Sequence, residues 1–333
     1  MRIATIAHVT ELLPTTGQGQ EGRSSILSER NKATAAVVLT VVLWASSFVA
    51  IRGVGHALSP APLALLRLAV AGVALTVLMV LRHRRVPRIP TSPKSLRLIV
   101  AYGVLWLAGY TVVLNAAERH VDAGTAAMLV NSAPLLVAFG AGLLLGEGFP
   151  RTLIAGSFVA LAGIVVIGLG SSGDSDLIGV LLCILAAILY AAGVLIQKVT
   201  LRSVDGATVT WLGCVIGTAV LLPWVPQLVD ELASASQGAI LGAVYLGLVP
   251  TAIGFSTWAY ALHRMDAGRL SATTYAVPAV AVLLSWLLLS EMPTAYGLIG
   301  GAICLLGVAI SRYRPRRAPE GTTSVPARKP AAE

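Results

Sequence analysis

Arg67 stands inside the stretch LALLRLAVAG, roughly two turns, or about 10 Å at 1.5 Å per residue, from the outer end of the apolar run at 60–81. It is the only one of the 24 Lys and Arg residues set within an apolar run away from its ends. A cation so placed has two bland uses: its stem can carry the charge back to a polar boundary, or it can meet a helix C-terminus. Its chemical use is as a counter-charge for an anionic group of a solute. Five aromatic residues, Trp44, Trp106, Tyr110, Tyr190 and Tyr275, also fall near the middle of apolar runs. Aromatic rings that only anchor a chain in a bilayer belong at the interfaces, so these five suggest a lined cavity. Trp106 and Tyr110 are four residues apart and share a helix face. Ser46, Ser47, Asn131, Ser132, Thr251, Ser256, Thr257, Thr273 and Thr274 could bond a polar solute, or bond back to their own helix. Ser47, Asn131 and Thr251 are taken forward as candidates. Trp211, Trp224, Trp258, Tyr245 and Tyr313 sit nearer the ends of their runs and read as an interfacial belt.

Other chemistries lack their residues. The 15 Asp and Glu lie in tails, loops or helix ends, and the five His lie outside the apolar runs. No H-E-x-x-H occurs, and no acid pair sits at mid-depth to serve as acid and base. An enzyme is therefore not expected, and neither is a metal or other cofactor. The three cysteines, Cys183, Cys214 and Cys304, lie in apolar runs without metal spacing and read as small hydrophobes. GLGSSG at 168–173 matches G-x-G-x-x-G, but it follows an apolar helix and not a strand, so the dinucleotide reading fails on context.

The elements that would carry these residues follow from composition. The chain has 333 residues, 56% hydrophobic and 12% charged, with mean hydropathy +0.82. Soluble domains carry about 25% charged residues. An all-α integral membrane protein is the natural reading, with the lipid bilayer and a small-molecule solute as partners and no nucleic acid. Ten runs are long enough to cross: about 34–51, 60–81, 98–117, 123–145, 152–169, 177–199, 208–224, 240–261, 268–290 and 296–312. With the N-terminus inside, 21 of 24 Lys and Arg fall in cytoplasmic segments and only Arg52 and Arg119 in external loops. That asymmetry predicts both termini on the cytoplasmic side of the plasma (inner) membrane. Residues 1–33 read as a polar arm with no cleavable signal, and residues 313–333 as a disordered tail.

The chain also repeats itself. HVDAGTAAMLVNSAPLLVAFGAGLLLGE at 120–147 returns as RMDAGRLSATTYAVPAVAVLLSWLLLSE at 264–291, with 8 of 28 positions identical. LWASSFVAIR at 43–52 matches LYAAGVLIQK at 189–198, which makes Trp44 and Tyr190 counterparts, and Gly156 and Gly163 match Gly300 and Gly307. Five crossings per copy is an odd number, so the halves 34–169 and 177–312 are expected as inverted-topology repeats, a mark of secondary transporters. Asn131 and Tyr275 are counterparts as well, three residues before the paired Pro134 and Pro278. A proline mid-helix removes a donor and clashes with the preceding turn, so these two are read as hinges.

These stretches, LWASSFVAIR, LALLRLAVAG and DAGTAAMLVNSAPLLVAFGAGLLLGE, resemble the drug/metabolite transporter superfamily, in its EamA branch, over residues 34–312. The second copy departs from that pattern, with Ser290 where Gly146 stands in the first and no counterpart of Arg67. The resemblance implies export or exchange of small metabolites such as amino acids, by alternating access. The related small multidrug exporters use a carboxylate in their first helix, and this first span has none, which favours a facilitator or exchanger over a carboxylate-driven antiporter. A multidrug exporter, a membrane sensor or a lipid scramblase are the alternatives.

Overall fold

The structure, a computed structural model, describes residues 16–54, 57–83, 89–120, 123–169, 177–289 and 295–312. Every regular element among the described residues is helical. α1 (Thr16–Val54) starts well before its apolar run, so part of the expected polar arm is helix. Next comes α2 (Pro60–His83), opening on a proline where the missing N–H would be unpaired anyway. α3 runs in three contiguous pieces, Pro93–Tyr102, Gly103–Tyr110 and Thr111–Ala117, the middle one a π-helix.

The run at 123–145 was expected as one helix and is two: α4 (Ala123–Val130), and α5 (Ala133–Gly140 continued by Ala141–Leu145). A turn at Asn131 and Ser132 parts them, and Pro134 stands at the start of α5. Pro134 cannot donate to the Val130 carbonyl, and it disfavours helical geometry in the residue before it, so the chain breaks just upstream. α6 (Arg151–Leu169) and α7 (Leu177–Thr200) follow. α8 spans Gly206–Leu221, Leu222–Trp224 and Val225–Ser234, with Asp205 capping it by accepting from Thr208 N–H at 2.9 Å.

α9 spans Gln237–Leu246, a π-helical Gly247–Ile253 with Pro250 inside, and Gly254–Arg264. The two long π segments begin at Gly103 and Gly247, 144 residues apart, which is the offset of the sequence repeat. α10 comprises Ala267–Ser271, a tight 3-10 turn at Ala272–Tyr275, and Ala276–Leu289 with Pro278 in its first turn. Both paired prolines thus follow a local break in their helix. α11 (Ala295–Arg312) ends the described chain. Asp122, Glu291, Tyr313 and the tail lie outside the described residues.

Among the described residues, seven helices are long and apolar enough to cross a membrane, and three shorter apolar helices occupy residues 133–145, 151–166 and 298–311. α6 and α11 pack backbone to backbone. A Cβ on Gly156 would sit 2.5 Å from Ser311 N, one on Gly163 2.6 Å from Cys304 N, and one on Gly307 2.4 Å from Ala160 N. Only glycine allows this approach, and this pair stands apart from the aromatic centre of the molecule.

Candidate functional site

A cavity with about 530 Å³ of empty space, the open solvent at its mouth included, lies between α1, α2, α3, α4, α5, α7, α9 and α10. Several of the candidate side chains reach it through an identifiable device. The π segment of α3 turns both Trp106 and Tyr110 onto the wall. Gly193 in α7 lets Trp106 approach, since a Cβ there would lie 2.4 Å from Trp106 Cβ. The break between α4 and α5 places Asn131 and Pro134 at the wall. Trp44 and Ser47 come from α1, one turn apart, and Tyr190 from α7.

The rings form one cluster. Trp44 lies 6.1 Å from Tyr190, 6.3 Å from Trp106 and 5.3 Å from Phe255, between ring centroids. Trp106 lies 5.2 Å from both Tyr190 and Phe255, and Tyr110 lies 6.0 Å from Tyr190. Most of these pairs are edge-to-face, the arrangement that ring quadrupoles favour. Trp258, expected in the interfacial belt, packs tilted against Trp44 at 4.9 Å and is 1% exposed. Its place near the end of an apolar run is as expected, but helix α9 turns that face inward. Trp211 is likewise buried, donating Nε1–H to Thr76 Oγ1 at 2.7 Å.

Arg67 is buried and lines the cavity. Its Nε–H donates to Thr251 Oγ1 at 2.6 Å, while Thr251 donates its own hydrogen to the Leu246 carbonyl at 2.7 Å. That i to i−5 bond belongs to the π segment of α9, so the wide turn aims the threonine lone pair at Arg67. Close approach of the two helices needs Gly247, whose Cβ would fall 2.8 Å from the Arg67 carbonyl oxygen. Thr251 therefore holds the arginine from behind and is not itself on the cavity wall. No carboxylate lines the cavity. The guanidinium is its single fixed charge, and its two terminal nitrogens donate to no carboxylate on the cavity wall.

Tyr275 is not on the wall. It packs with Ala138, Leu153, Ala160 and Cys304, on the side of α6 and α11, and its neighbour Thr274 faces the cavity instead. The 3-10 turn, at three residues per turn, rotates the segment away from an α-helical count. Pro278 is buried but off the wall as well. Phe255 and Thr274 join the site, and Phe48, Leu114, Val130 and Val277 supply its apolar surface. Of these, only Thr274 carried a polar signal in the sequence.

One acid is enclosed after all. Glu118 follows the last residue of α3, and its Oε1 is buried with no hydrogen-bond partner. Burial, working against the lowering influence of the Arg67 charge, pushes its carboxyl up to about 8. Among the described residues no group of three or more His, Cys, Asp or Glu could hold a metal ion.

The chain can now be set beside known proteins. A crystal structure of a protein with 22% identity, all of which is matched by 87% of this chain, superposes with a TM-score of 0.71, a likeness of fold. A probable terminal-alkyne amino-acid exporter of Streptantibioticus cattleyicolor is 37% identical over 85% of this chain and 94% of its own. A probable amino-acid metabolite efflux pump of Escherichia coli is 25% identical over 83% of this chain and 93% of its own. Residues 31–169 and 177–313 each match the sequence pattern of one family, the two matches meeting either side of the repeat junction, and the chain therefore belongs to the EamA-like transporter family.

Proposed function

We propose that this chain exports amino acids or closely related metabolites across the plasma membrane by alternating access, with the cavity beside Arg67 as the solute site. One observation carries the substrate class: the cavity holds one fixed cation, aromatic and aliphatic walls, and no acid. Such a site favours a solute with an anionic group and an apolar part, and it disfavours the organic cations of a multidrug exporter. The amino-acid solutes named for two relatives of the chain point the same way.

Ten crossings in two inverted halves support the mechanism. Seven long and three shorter apolar helices are compatible with that number. The π segments at Gly103 and Gly247 and the breaks ahead of Pro134 and Pro278 fall at equivalent places in the two halves. Discontinuous helices at a site between repeats are the usual construction of secondary transporters. The test is counterflow in proteoliposomes loaded with each common amino acid in turn. Wild type should drive uptake of at least one labelled amino acid, and Arg67→Gln should reduce it at least about tenfold, the loss of one charge-assisted bond. Lipid flip-flop without amino-acid counterflow would replace this reading with a scramblase.

A further inference from the structure

The polar side chains on the cavity wall fall into two sets. In the first, a donor hydrogen of each side chain is already committed to the chain's own backbone. Ser47 Oγ donates to the Trp44 carbonyl at 2.6 Å. Asn131 Nδ2 donates to the Ala127 carbonyl at 2.6 Å. Thr274 Oγ1 donates to the Ser271 carbonyl at 2.8 Å. A hydroxyl has one hydrogen and two lone pairs, and an amide oxygen only accepts. Ser47 and Thr274 therefore present acceptor oxygen alone, and Asn131 presents its amide oxygen beside one remaining N–H. They are 6%, 6% and 3% exposed, so little water reaches those lone pairs. They come from α1, the α4–α5 turn and the 3-10 turn of α10, elements that pack on one another around a single cavity.

The second set only needs acceptors. The terminal nitrogens of Arg67 carry donor hydrogens, and the indole N–H groups of Trp44 and Trp106 are buried without a partner. The cavity wall thus carries acceptor oxygens and donor groups, the Tyr110 and Tyr190 hydroxyls able to act as either, in an otherwise apolar enclosure.

We propose that Ser47, Asn131 and Thr274 form an ammonium subsite, so that the ligand is a zwitterion with its carboxylate on Arg67 and its free amino group on these three oxygens. This rests on the proposed function and narrows it: an α-amino acid with an apolar side chain fits, and a simple carboxylate or a simple amine does not. An ammonium group has three donors and no acceptor, which three inward oxygens satisfy. The faces of Trp44 and Tyr190 add cation–π attraction to the same charge. No acid is needed at this subsite, because the ligand's own carboxylate, held on Arg67, stays beside its ammonium. A ligand without the amine leaves three buried acceptors unpaired, and a site built to bond an N–H group strongly rejects an analogue lacking it.

The test uses the full chain in detergent or proteoliposomes and four probes: L-norleucine, L-phenylalanine, hexanoate and 3-phenylpropanoate. The last two are the first two without their amines. Wild type should bind the amino acids at least about a hundredfold more tightly than their des-amino partners. Ser47→Ala with Thr274→Val should weaken the amino acids about tenfold and leave the des-amino acids unchanged, and Thr274→Ser should keep wild-type affinity. Arg67→Gln should weaken both kinds of probe alike. Hexanoate binding as tightly as norleucine to wild type, a result independent of whether any variant folds, overturns the ammonium subsite and leaves amino-acid export standing. Equal loss of both probe kinds in the double variant overturns it too. If no amino acid binds or exchanges at all, the proposed function falls and this subsite with it.

Discussion

Thr251 shows how a residue can matter to a site that it does not line. It accepts from Arg67 Nε at 2.6 Å and is itself anchored to the Leu246 carbonyl. Thr251→Val keeps the volume and removes the acceptor, so the guanidinium stays charged but loses its orientation. Solute affinity should fall about tenfold while protein abundance holds, and Thr251→Ser should restore it. Counterflow KM and maximal rate, measured together, check this, and a lowered maximal rate at unchanged KM would refute it. Trp44 is a different case, because it touches four other rings. Trp44→Ala should abolish most transport, whereas Trp44→Phe should keep much of it by filling the same cluster. Glu118 gives a pH dependence with a definite sign. Its carboxyl is raised by burial to about 8, from an unfolded value of 4.5, so the folded protein prefers it protonated. Its contribution to stability is present below pH 4.5, erodes as pH rises and is fully lost above about pH 8. Glu118→Gln should therefore flatten the decline in melting temperature between pH 5 and 9, and a variant melting in parallel with wild type over that range would show the carboxyl plays no part.

Among the elements, the broken helices and the glycine-packed pair divide the labour. α5 follows a break at the cavity, with Pro134 on its wall, and α10 contains a break whose Thr274 faces the same space. A kinked helix in each half, in opposite orientations, would supply one gate toward each side of the membrane. Pro134→Ala and Pro278→Ala restore a missing backbone donor and should stiffen the two kinks separately. Turnover should fall more than affinity, and cavity cysteines should change their labelling by an impermeant reagent in opposite directions in the two variants. A shift in the same direction would mean that the prolines serve packing. α6 and α11 show the contrast: Gly163 meets Cys304 N with no room for a Cβ. Gly163→Leu should lower abundance through overpacking without changing which solutes compete, whereas a normally expressed variant with altered preference would place this helix pair at the site.

At the scale of the whole molecule, the all-helical, apolar character of the chain was legible in the sequence, and the expected crossing number and orientation rest on the same local, additive signals. Hydropathy needs only the composition of about 20 neighbouring residues, and the positive-inside rule needs only a count of Lys and Arg in the loops. Single-cysteine labelling should report position 173 outside and position 85 inside, and the same side for both would undo the inverted halves. The repeat and the two prolines were legible for the same reason, and family membership followed from them. Which face of each helix turns inward was not. A helix apolar all around carries no stripe to say where its neighbours lie, so Trp258 read as belt and Tyr275 read as lining. Tertiary packing decided otherwise, bringing Trp258 to 4.9 Å from Trp44 and turning Tyr275 toward Cys304. Partners distant in sequence were beyond local reading as well: Arg67 and Thr251 meet across 184 residues. The acceptor oxygens of the cavity wall were likewise undecided until the hydrogen-bond directions of Ser47, Asn131 and Thr274 were set by the folded backbone around them.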